Sequence, residues 1–564
     1  MRKKVISMVK NHGNLTLLAA ISGILVFTCL LYLQSLHGQF LDYDDTVNVL
    51  NNPLIRQLSP GHVWQILSMA SLYMYTPLTF ISYAFDYACY GPDPYFFKLT
   101  NLLLHLINVV LLYIMACRLF NSRFQALLAA LLFAVHPINA DSVSWISARS
   151  NLLSTTFFMA GMIIYLRYLE RKKVIFILLV TLSFFLSLMA KPAGIMLPVI
   201  LFLVDYLKKR NFSRAMALEK IPLFILGAAF GLATLHFRTD AGNPGAVVDF
   251  NAADRLFMGC YTLLGYQINT LVPWHLSAVY AYPVKNDNLL PLLFYVTPVV
   301  ITLLLLLASK MKLMTREVVF GALFFLINLV VTQAALLEDG FMANRYGYLP
   351  LAGIFFILAR GVSYCSTGQA WLKTAGIGTM ILLLVIYSGL TWQRSQVWKG
   401  NLALFDDVVK NAPGSAFGYN NRGIARYTAN DMEGALADYN QAIILNPRYS
   451  GAFYNRGIVN YNLKEVSRAE QDYSMAIQLN PGFASCYMAR GILEMDATRN
   501  DSLALADYDA ALRINPEMAQ AYFNRGILYL RMRAVQSACE DFHQVRRLGY
   551  DRADDLIRQY CEEH

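Results

Sequence analysis

Eleven apolar runs, separated by short polar loops, limit what this chain can fold into. An α-helix needs about 20 consecutive apolar residues to cross the hydrocarbon core of a membrane, which offers no water to unpaired backbone amides. Hydrophobic residues make up 56% of the sequence and charged residues only 15%. The pattern therefore predicts a polytopic bundle of membrane helices. The predicted spans are 15–36, 99–117, 124–136, 152–168, 174–190, 192–207, 221–236, 289–308, 317–335, 347–363 and 372–391.

Basic residues in the short loops predict the orientation, because Lys and Arg are concentrated on the cytoplasmic side of membrane proteins. They are Arg2, Lys3, Lys4, Lys10, Arg118, Arg123 and the basic residues of the loops 167–173, 208–214 and 310–316. If all of these are cytoplasmic, the further apolar segment 256–273 does not cross, and we predict an interfacial or re-entrant helix there. The eleven crossings then place the C-terminal part on the outer side. The net charge of +10 reflects these loops and does not indicate nucleic-acid binding.

A repeat of 34 or 35 residues follows after about residue 398. Its fixed positions are Gly423, Gly457, Gly491 and Gly526; Ala435, Ala469, Ala504 and Ala538; Tyr439, Tyr473, Tyr508 and Phe542; and Pro413, Pro447, Pro481 and Pro516. This period, with small, aromatic and proline positions in this order, is the signature of tetratricopeptide repeats. We predict four repeats with a concave face, at about 416–449, 450–483, 484–518 and 519–552.

The sequence thus predicts an all-α protein of two domains, a membrane bundle and an α-solenoid. The domains are 1–398, whose first outer loop is 37–98, and 399–564. Asn421, Asn455 and Asn524 share one position on the first helix of their repeats. Asn both donates and accepts hydrogen bonds, so these residues are candidates for holding an extended acceptor peptide in the groove. The alternative is that they are solvated polar positions.

Two acidic residues follow the first span, where the chain leaves the membrane. In FLDYDD, at 40–45, Asp44 and Asp45 lie close to the depth of the lipid headgroups. A carboxylate there can accept a proton from a hydroxyl nucleophile, and repulsion between the two raises one pKa toward that task. A helix cap or a solvated loop rich in Asp and Asn is the alternative interpretation.

Three cations fall on the same predicted side. Lys191, Arg345 and Arg149 interrupt or flank apolar sequence at the outer ends of spans. A lipid phosphate requires cationic donors at headgroup depth, and a guanidinium matches it with a planar fork. The alternative is that these side chains snorkel at helix ends. His105 lies inside a span, where we expect a hydrogen bond to a neighbouring helix. The eight cysteines have no metal-ligand spacing, so no metal site is predicted, and a disulfide among the outer cysteines stays open.

Five motifs occur in a set order ahead of the repeats. They are FLDYDDTVNVLNNPLI, YTPLTFISYAFDYACYGPDPYFFKLTNLLLHLINVVLLY, HPINADSVSWISARSNLLS, MAKPAGIMLPVILFLVDYL and NRYGYLPLAGIFF. With the repeats, this set resembles the transmembrane and tetratricopeptide-repeat containing O-mannosyltransferase family and its bacterial relatives, in the C-type glycosyltransferase (GT-C) superfamily. The resemblance covers nearly the whole chain.

The resemblance implies an inverting transferase whose donor is a sugar on a polyprenyl phosphate and whose acceptor is a Ser or Thr hydroxyl of a protein. It implies that Asp44 is the base, that Asp45 orients or assists, and that Lys191 and Arg345 bind the donor phosphate. Arg149 matches the family's outer loop and is assigned to the same phosphate. Supporting active-site residues would be His136, Asp141, Tyr75, His105 and Tyr346. Two departures are Thr76, where many relatives carry a cation, and the weakly charged SARSN at 147–151.

The resemblance implies no cofactor, since the lipid-linked sugar is itself a substrate. The expected partners are that donor, membrane lipids and a protein acceptor held by the repeats. The alternatives are transfer to a polysaccharide or a lipid glycan, a non-enzymatic membrane scaffold, and a transporter. We expect a bacterial inner membrane with a cytoplasmic N-terminus and periplasmic repeats, or equivalently an endoplasmic reticulum membrane with lumenal repeats.

Overall fold

The computed structural model describes residues 2–68, 75–239, 250–280, 282–283, 285, 287–311, 313–334, 341–365 and 369–561. Parts of the predicted first outer loop, 37–98, and of the segment between the apolar segments 221–236 and 256–273 lie outside these residues. So do the side chains of Arg2, Lys3, Lys4 and Lys10, on which the predicted orientation of the first span depends. The chain forms two compact units, Met1–Asp407 and Val408–His564.

The first unit is a bundle of α-helices built from the apolar runs. In chain order they are α1 (Arg2–Tyr32), α2 (Pro60–Ser68), α3 (Pro77–Tyr90), α4 (Pro94–Phe120), α5 (Arg123–Val135), α6 (Ala140–Ser144), α7 (Arg149–Arg171), α8 (Val174–Ala190), α9 (Leu197–Leu207), α10 (Arg214–Leu218), α11 (Ile221–Thr239), α12 (Ala252–Leu271), α13 (Leu292–Lys310), α14 (Arg316–Ala334), α15 (Leu351–Cys365), α16 (Ala370–Val397) and α17 (Asn401–Asn411). Short 3-10 or π turns lie at Leu33–His37, Thr46–Leu50, Pro53–Ile55, Pro137–Asn139, Ile146–Ala148, Pro192–Met196 and Asn344–Gly347. Helix α4 packs against α5 and α7, and α5 packs against α15, so these four helices form the centre of the bundle.

Six helical segments among the described residues are long and apolar enough to cross a membrane, which confirms the predicted membrane bundle. They are Leu17–His37, Pro94–Phe120, Ile146–Arg171, Arg214–Thr234, Leu292–Lys310 and Ala370–Val397. The bent pair Arg123–Val135 and Pro137–Ser144 makes a seventh if it is one span. The lengths and composition of the described helices therefore support fewer crossings than the eleven predicted. One reason is that the predicted spans 174–190 and 192–207 form the helices Val174–Ala190 and Pro192–Leu207, which are shorter than the about 20 residues that a crossing needs.

The predicted interfacial or re-entrant segment 256–273 lies on α12, which is not among these six. Helix α12 begins with a capping box, in which the Asn251 side chain bonds the backbone of Asp254 and the Asp254 carboxylate bonds the backbone of Asn251. Lys285 pairs with Asp254 at 2.6 Å. Helix α12 packs mainly against α13. Whether it enters the membrane stays a prediction.

The second unit is a stack of antiparallel helix pairs, as the 34-residue period predicts. The pairs are α18 (Ala416–Thr428) with α19 (Met432–Leu445), α20 (Ser450–Asn462) with α21 (Val466–Leu479), α22 (Ala484–Leu493) with α23 (Asp501–Ile514), and α24 (Ala519–Arg531) with α25 (Val535–Arg547). A last helix, α26 (Asp554–Tyr560), follows. The division between the units falls inside α17. Before it, the carbonyl of Lys399 accepts from the Gln39 amide at 2.8 Å and the Asn401 side chain donates to Asp42 at 2.6 Å, so both residues bond the first loop of the membrane unit.

The repeating glycines are explained by the aromatic rings that they face. A Cβ at Gly457 would lie 2.7 Å from the buried Tyr473 ring, and one at Gly526 would lie 2.6 Å from Phe542. The first helix of each repeat therefore approaches the second so closely that glycine is needed there. A recurring arginine adds to the pairing: Arg456 binds Asp472 through two nitrogens and reaches Asn440 of the preceding repeat.

Replacing Gly457 with Ala is expected to loosen one repeat. The added methyl group must displace a buried ring, which costs about 1–3 kcal/mol. Hydrogen exchange of the full chain should become faster in α20 and α21. Gly482 provides the control, since a Cβ there meets its nearest atom at 3.5 Å on an exposed turn, and its replacement by Ala should leave exchange unchanged. Equal protection of α20 and α21 in both variants would contradict this account of the repeat.

The disulfide that the sequence left open is found at the end of the chain. Cys539 of α25 and Cys561, just after α26, form a disulfide with a Cα–Cα distance of 5.6 Å. This bond ties the last helix to the final repeat. The remaining six cysteines are free, and Cys486 is buried in the repeat core.

Candidate functional site

Asp45 is buried and held in place by three hydrogen bonds. Its Oδ2 accepts from the Leu41 amide at 3.0 Å, and its Oδ1 accepts from the Ser147 amide at 3.0 Å and the Ser147 hydroxyl at 2.5 Å. Burial raises the pKa of this carboxyl, and the bonds from Ser147 and Leu41 oppose that shift in part. Asp45 has no exposed surface and joins the first loop to the segment after α6; its predicted role toward the acceptor stays a prediction.

Asp44, the neighbouring residue, is half-buried. Burial lowers the pKa of Arg345, while Tyr346, Tyr43 and Asp44 raise it, and the net direction is upward. The Asp44 carboxylate therefore lies within electrostatic reach of the Arg345 guanidinium, although more than 300 residues separate them in sequence. The third acid of the motif, Asp42, accepts from Thr46 at 2.9 Å and from Asn401 at 2.6 Å and is exposed, so it anchors the loop.

Lys191 and Arg345 converge on one aromatic ring. The Lys191 Nζ lies 4.6 Å from the centroid of the Tyr346 ring, and the Arg345 Cζ lies 4.8 Å from the same centroid. Like charges so close repel unless an anion offsets them. Burial, and then the Arg345 guanidinium, lower the pKa of the Lys191 ammonium to about 7. Two cations from distant motifs thus meet at Tyr346, and the Asp44 carboxylate acts electrostatically on one of them, Arg345.

The backbone around Lys191 is fixed by its neighbours. The Lys191 ammonium donates to the Asn151 side chain at 2.5 Å, and the Thr79 hydroxyl donates to the carbonyl of Ala190 at 3.0 Å. The following turn packs tightly, since a Cβ at Gly194 would lie 2.4 Å from the Ser187 hydroxyl. These contacts hold the ammonium at the break between α8 and the Pro192–Met196 turn.

Asp141 supports the turn that carries Arg345. Its carboxylate accepts from Arg394 Nε at 2.8 Å, from the Trp398 indole at 2.8 Å and from the Asn344 amide at 3.1 Å. Asn344 is buried and directly precedes Arg345 in the sequence. Through its bond to Asn344, Asp141 of α6 connects the end of α16 to the turn that carries Arg345. Asp141 therefore acts on the site through Asn344 rather than by contact.

Arg149 does not join Lys191 and Arg345, which corrects its predicted role. It pairs with Asp86 at 2.6 Å and is fully buried. Each of its nitrogens already has a protein partner: Nε donates to the Asn101 side chain, and the terminal nitrogens donate to the carbonyls of Ser82 and Phe97. A guanidinium committed in this way joins α3, α4 and α7 and has no donor left for a phosphate.

Replacing Arg149 with Met is expected to destabilise the membrane unit without changing donor affinity. Removing one partner of a buried ion pair leaves Asp86 uncompensated, at a cost of about 3–5 kcal/mol. The midpoint of thermal unfolding in detergent should fall, and the additional change of Asp86 to Leu should restore part of it. Loss of donor affinity at an unchanged unfolding midpoint would instead return Arg149 to the phosphate site.

The other predicted supporting residues are bound within the fold. His136 pairs with the carbonyl of Thr270 at 3.0 Å, and His105 pairs with the Tyr348 hydroxyl at 2.7 Å and faces the Ala134 carbonyl at 3.2 Å. Tyr75 donates to the carbonyl of Leu67 at 2.7 Å. Through these contacts, the side chains of His136, His105 and Tyr75 connect separate segments of the fold. For His105 we expected a bond to a neighbouring helix, which its contact with Ala134 of α5 provides.

The asparagines of the repeats make contacts within their own unit. Asn421 donates to the carbonyl of Phe417 at 2.9 Å, and Asn455 donates to the Asn420 side chain at 2.9 Å. Asn524 accepts from Gln520 at 3.0 Å, and its side-chain nitrogen is buried without a partner in the described chain. All three side chains are half-buried, so their role toward a peptide stays a prediction.

Sequence reasoning missed several residues that hold this site together. Ser147 and Asn151 lie in the SARSN stretch that was noted only as a departure from the family, and they bind Asp45 and Lys191. Arg394 follows the last apolar run, just as Arg345 precedes the run before it. A cation at the end of an apolar run therefore marked Arg394 in the sequence as well. Trp145 and Trp398 carried no signal that separates them from core aromatics. In the described part of the chain, no group of three or more His, Cys, Asp or Glu side chains has the arrangement of a metal site.

Comparison with known proteins agrees with both units. The tetratricopeptide repeat family model matches residues 420–482 and 488–548. A protein O-mannosyl-transferase of Caenorhabditis elegans is 26% identical over 407 residues, which are 68% of this chain and 56% of that protein. Protein O-mannosyl-transferase TMTC1 of Homo sapiens is 25% identical over 453 residues, 69% of this chain and 51% of that protein. The chain thus spans about half the length of these curated relatives. Among solved structures, MamA of Desulfovibrio magneticus RS-1 is 20% identical over 26% of this chain and 82% of that one, with a TM-score of 0.24.

The fold and the site define a helical membrane protein that carries a tetratricopeptide-repeat domain. The resemblance seen in the motifs is confirmed by these relatives: over about two thirds of its length, the chain is similar to protein O-mannosyl-transferases.

Proposed function

We propose that this chain is an inverting glycosyltransferase that moves a sugar from a polyprenyl phosphate to a Ser or Thr hydroxyl of a protein. The observation that carries the proposal is the convergence of Lys191 and Arg345 on Tyr346, with the Asp44 carboxylate within electrostatic reach of Arg345. Two cations suit the leaving phosphate, and one acid suits the proton of the acceptor. The names of the relatives support the same class of reaction.

The reaction then follows from the charges in the site. The acceptor oxygen attacks the anomeric carbon while its proton passes to Asp44. The bond between that carbon and the phosphate oxygen breaks, and the electron pair leaves with the phosphate. Lys191 and Arg345 stabilise the negative charge that develops there. A single displacement inverts the anomeric carbon. Because a lipid monophosphate can leave with this cationic help, the proposal includes no resident cofactor.

The repeats are proposed to bind the protein acceptor and so raise its concentration near the membrane unit. The disulfide between Cys539 and Cys561 supports an oxidising compartment for the repeats, because disulfides persist in the periplasm, in the endoplasmic reticulum and outside the cell. We therefore propose the periplasmic side of a bacterial inner membrane, with the lumenal side of the endoplasmic reticulum as the alternative. Both are the outer side in the predicted orientation.

The direct test is sugar transfer by the purified full chain in proteoliposomes. The assay would supply a polyprenyl-phosphate sugar and a Ser/Thr-rich protein, and it would determine the anomeric configuration of the product by NMR. Transfer to hydroxyls of the protein, with inversion, is expected. Retention of configuration would contradict the mechanism, and transfer only to glycan or lipid acceptors would contradict the proposed substrate.

Donor binding is expected to weaken as the pH rises through about 7. The ammonium of Lys191 has its pKa lowered to about 7 by burial and by Arg345, so it is charged below that pH and increasingly neutral above it. The intact donor is a phosphodiester whose charge is constant over this range. Its affinity, measured with the inactive Asp44→Asn variant between pH 6 and 9, should fall with pH. Replacing Lys191 with Met should remove the dependence, and an unchanged dependence in that variant would contradict this role.

A further inference from the structure

We infer that the indole N–H of Trp145 is a third, uncharged ligand of the donor phosphate, beside Lys191 and Arg345. This inference rests on the proposed function, since it extends the same phosphate site. Trp145 follows α6 directly and begins the turn that leads to Arg149. The indole would donate a hydrogen bond to a phosphate oxygen that the two cations hold by charge.

The position of Trp145 supports this assignment. The Arg345 Cζ lies 5.0 Å from the centroid of the Trp145 ring. The ring of Tyr43, the residue directly before Asp44, lies 5.3 Å from the same indole. Trp145 therefore contacts both the cation of the site and the residue next to the proposed base. At 2% exposure, it is almost entirely enclosed.

The indole nitrogen of Trp145 is the unusual feature. It is buried and has no hydrogen-bond partner among the described residues. Buried donors in folded proteins are nearly always paired, so an unpaired donor in a binding site indicates a ligand or water that completes it. Trp398 stacks on Trp145 with the ring centroids 5.1 Å apart. Unlike the indole N–H of Trp145, that of Trp398 has a partner, because it donates to Asp141 at 2.8 Å.

Two further polar atoms in the same short segment are also unpaired. The hydroxyl oxygens of Ser142 and Ser144 are buried without partners in the part of the chain that the structure describes. Three such groups fall within four residues directly after Asp141, and one of them, Trp145, contacts Arg345, which favours a polar lining over an isolated packing defect. The segment Ser142–Trp145 is thus equipped to receive a polar ligand.

An indole N–H suits the phosphate for a chemical reason. The indole N–H is a hydrogen-bond donor only, so it can bind a phosphate oxygen, while the face of the ring remains in contact with the Arg345 guanidinium. A donor that faces an ionised oxygen forms a stronger bond than one that faces a neutral oxygen. Lys191 and Arg345 supply charge, whereas the fixed ring of Trp145 supplies direction. It would orient the phosphate without adding a third positive charge to a pair that already repels.

The test compares Trp145→Phe with Trp392→Phe in the full chain. Phe keeps an aromatic face for packing, but it lacks the N–H and is smaller than indole. The affinity for polyprenyl phosphate should fall about tenfold in Trp145→Phe, as expected for one hydrogen bond to a charged group. Trp392 lies on α16 with an exposed side chain and is assigned to no part of the site, so in Trp392→Phe the affinity should change less than about twofold.

A second measurement does not depend on a folded variant. In the wild-type chain labelled with ¹⁵N at tryptophan, the Trp145 indole resonance should shift on addition of polyprenyl phosphate and should not shift with the unphosphorylated polyprenol. If the lipid phosphate binds in an Arg345-dependent manner but this resonance stays in place and Trp145→Phe binds normally, the assignment of Trp145 is wrong and the proposed function stands. If the lipid phosphate does not bind at all, the proposed function fails, and the Trp145 assignment fails with it.

Discussion

Replacing Asp44 with Asn is expected to lower the rate of sugar transfer by about 10²–10⁴-fold, the usual contribution of a general base. Asn has the same shape but does not take a proton from the attacking hydroxyl. Donor affinity should stay the same or become slightly tighter, because the change removes a negative charge within reach of Arg345. The measurement is the initial rate at saturating donor and acceptor, with donor binding measured on the same preparation.

Two neighbouring acids serve as controls for Asp44. Asp42 is exposed and anchors the loop through Thr46 and Asn401, so Asp42→Asn should keep most of the activity. Asp45→Asn should lower the stability of the membrane unit. The carboxylate now accepts from the Leu41 backbone N–H and the Ser147 hydroxyl, and the NH₂ group of Asn would face one of these donors instead. The cost is about 1–3 kcal/mol for an unsatisfied buried group. An active Asp44→Asn, together with an inactive but stable Asp45→Asn, would transfer the role of base to Asp45.

Replacing Lys191 or Arg345 with Met is expected to weaken donor binding and to slow transfer by about 10²–10³-fold, the loss seen when one preorganised donor to a developing charge is removed. Both side chains contact the Tyr346 ring, so each should affect the same bound phosphate. Because the two side chains act on the same phosphate, their effects should not be additive. The loss of donor-binding free energy in the double variant should be smaller than the sum of the losses in the two single variants. Affinity for polyprenyl phosphate and the rate of transfer are the two quantities to measure.

Lys220 offers a matched control for these variants. It is also a buried lysine, paired with Asp205 at 2.7 Å and bonded to the Tyr165 hydroxyl at 2.8 Å, and it lies in no motif assigned to the site. Lys220→Met should lower the unfolding temperature and leave donor affinity unchanged. If Lys220→Met weakened donor binding as much as Lys191→Met, loss of a buried lysine would act through stability, and the phosphate role would be contradicted.

The sequence predicted the architecture well because both units are periodic. The position of Gly457 opposite Tyr473 repeats in every unit of the solenoid, so the period alone identified the helix pairs. The apolar runs identified the membrane helices, but the helices formed by runs such as 174–190 and 192–207 are shorter than the about 20 residues that a crossing needs. Periodic features depend on near neighbours in sequence, which a reader of the sequence can see.

The site was predicted only in part, because its contacts join residues that are distant in the chain. Charge at the outer ends of spans identified Lys191, Arg345 and Arg149 alike, but only the fold shows that Asp86 takes Arg149 while Lys191 stays beside Tyr346. Likewise, two adjacent acids are equivalent in a motif. Asp45 is distinguished by its burial and by its bonds from Ser147, which is about 100 residues away in the sequence.

A structure of the full-length Asp44→Asn variant with the intact polyprenyl-phosphate sugar bound tests the central claim most directly. The account predicts the phosphate within hydrogen-bond distance of both Lys191 and Arg345, with the anomeric carbon facing residue 44. A phosphate bound elsewhere, with Lys191 and Arg345 out of contact with it, would contradict the account.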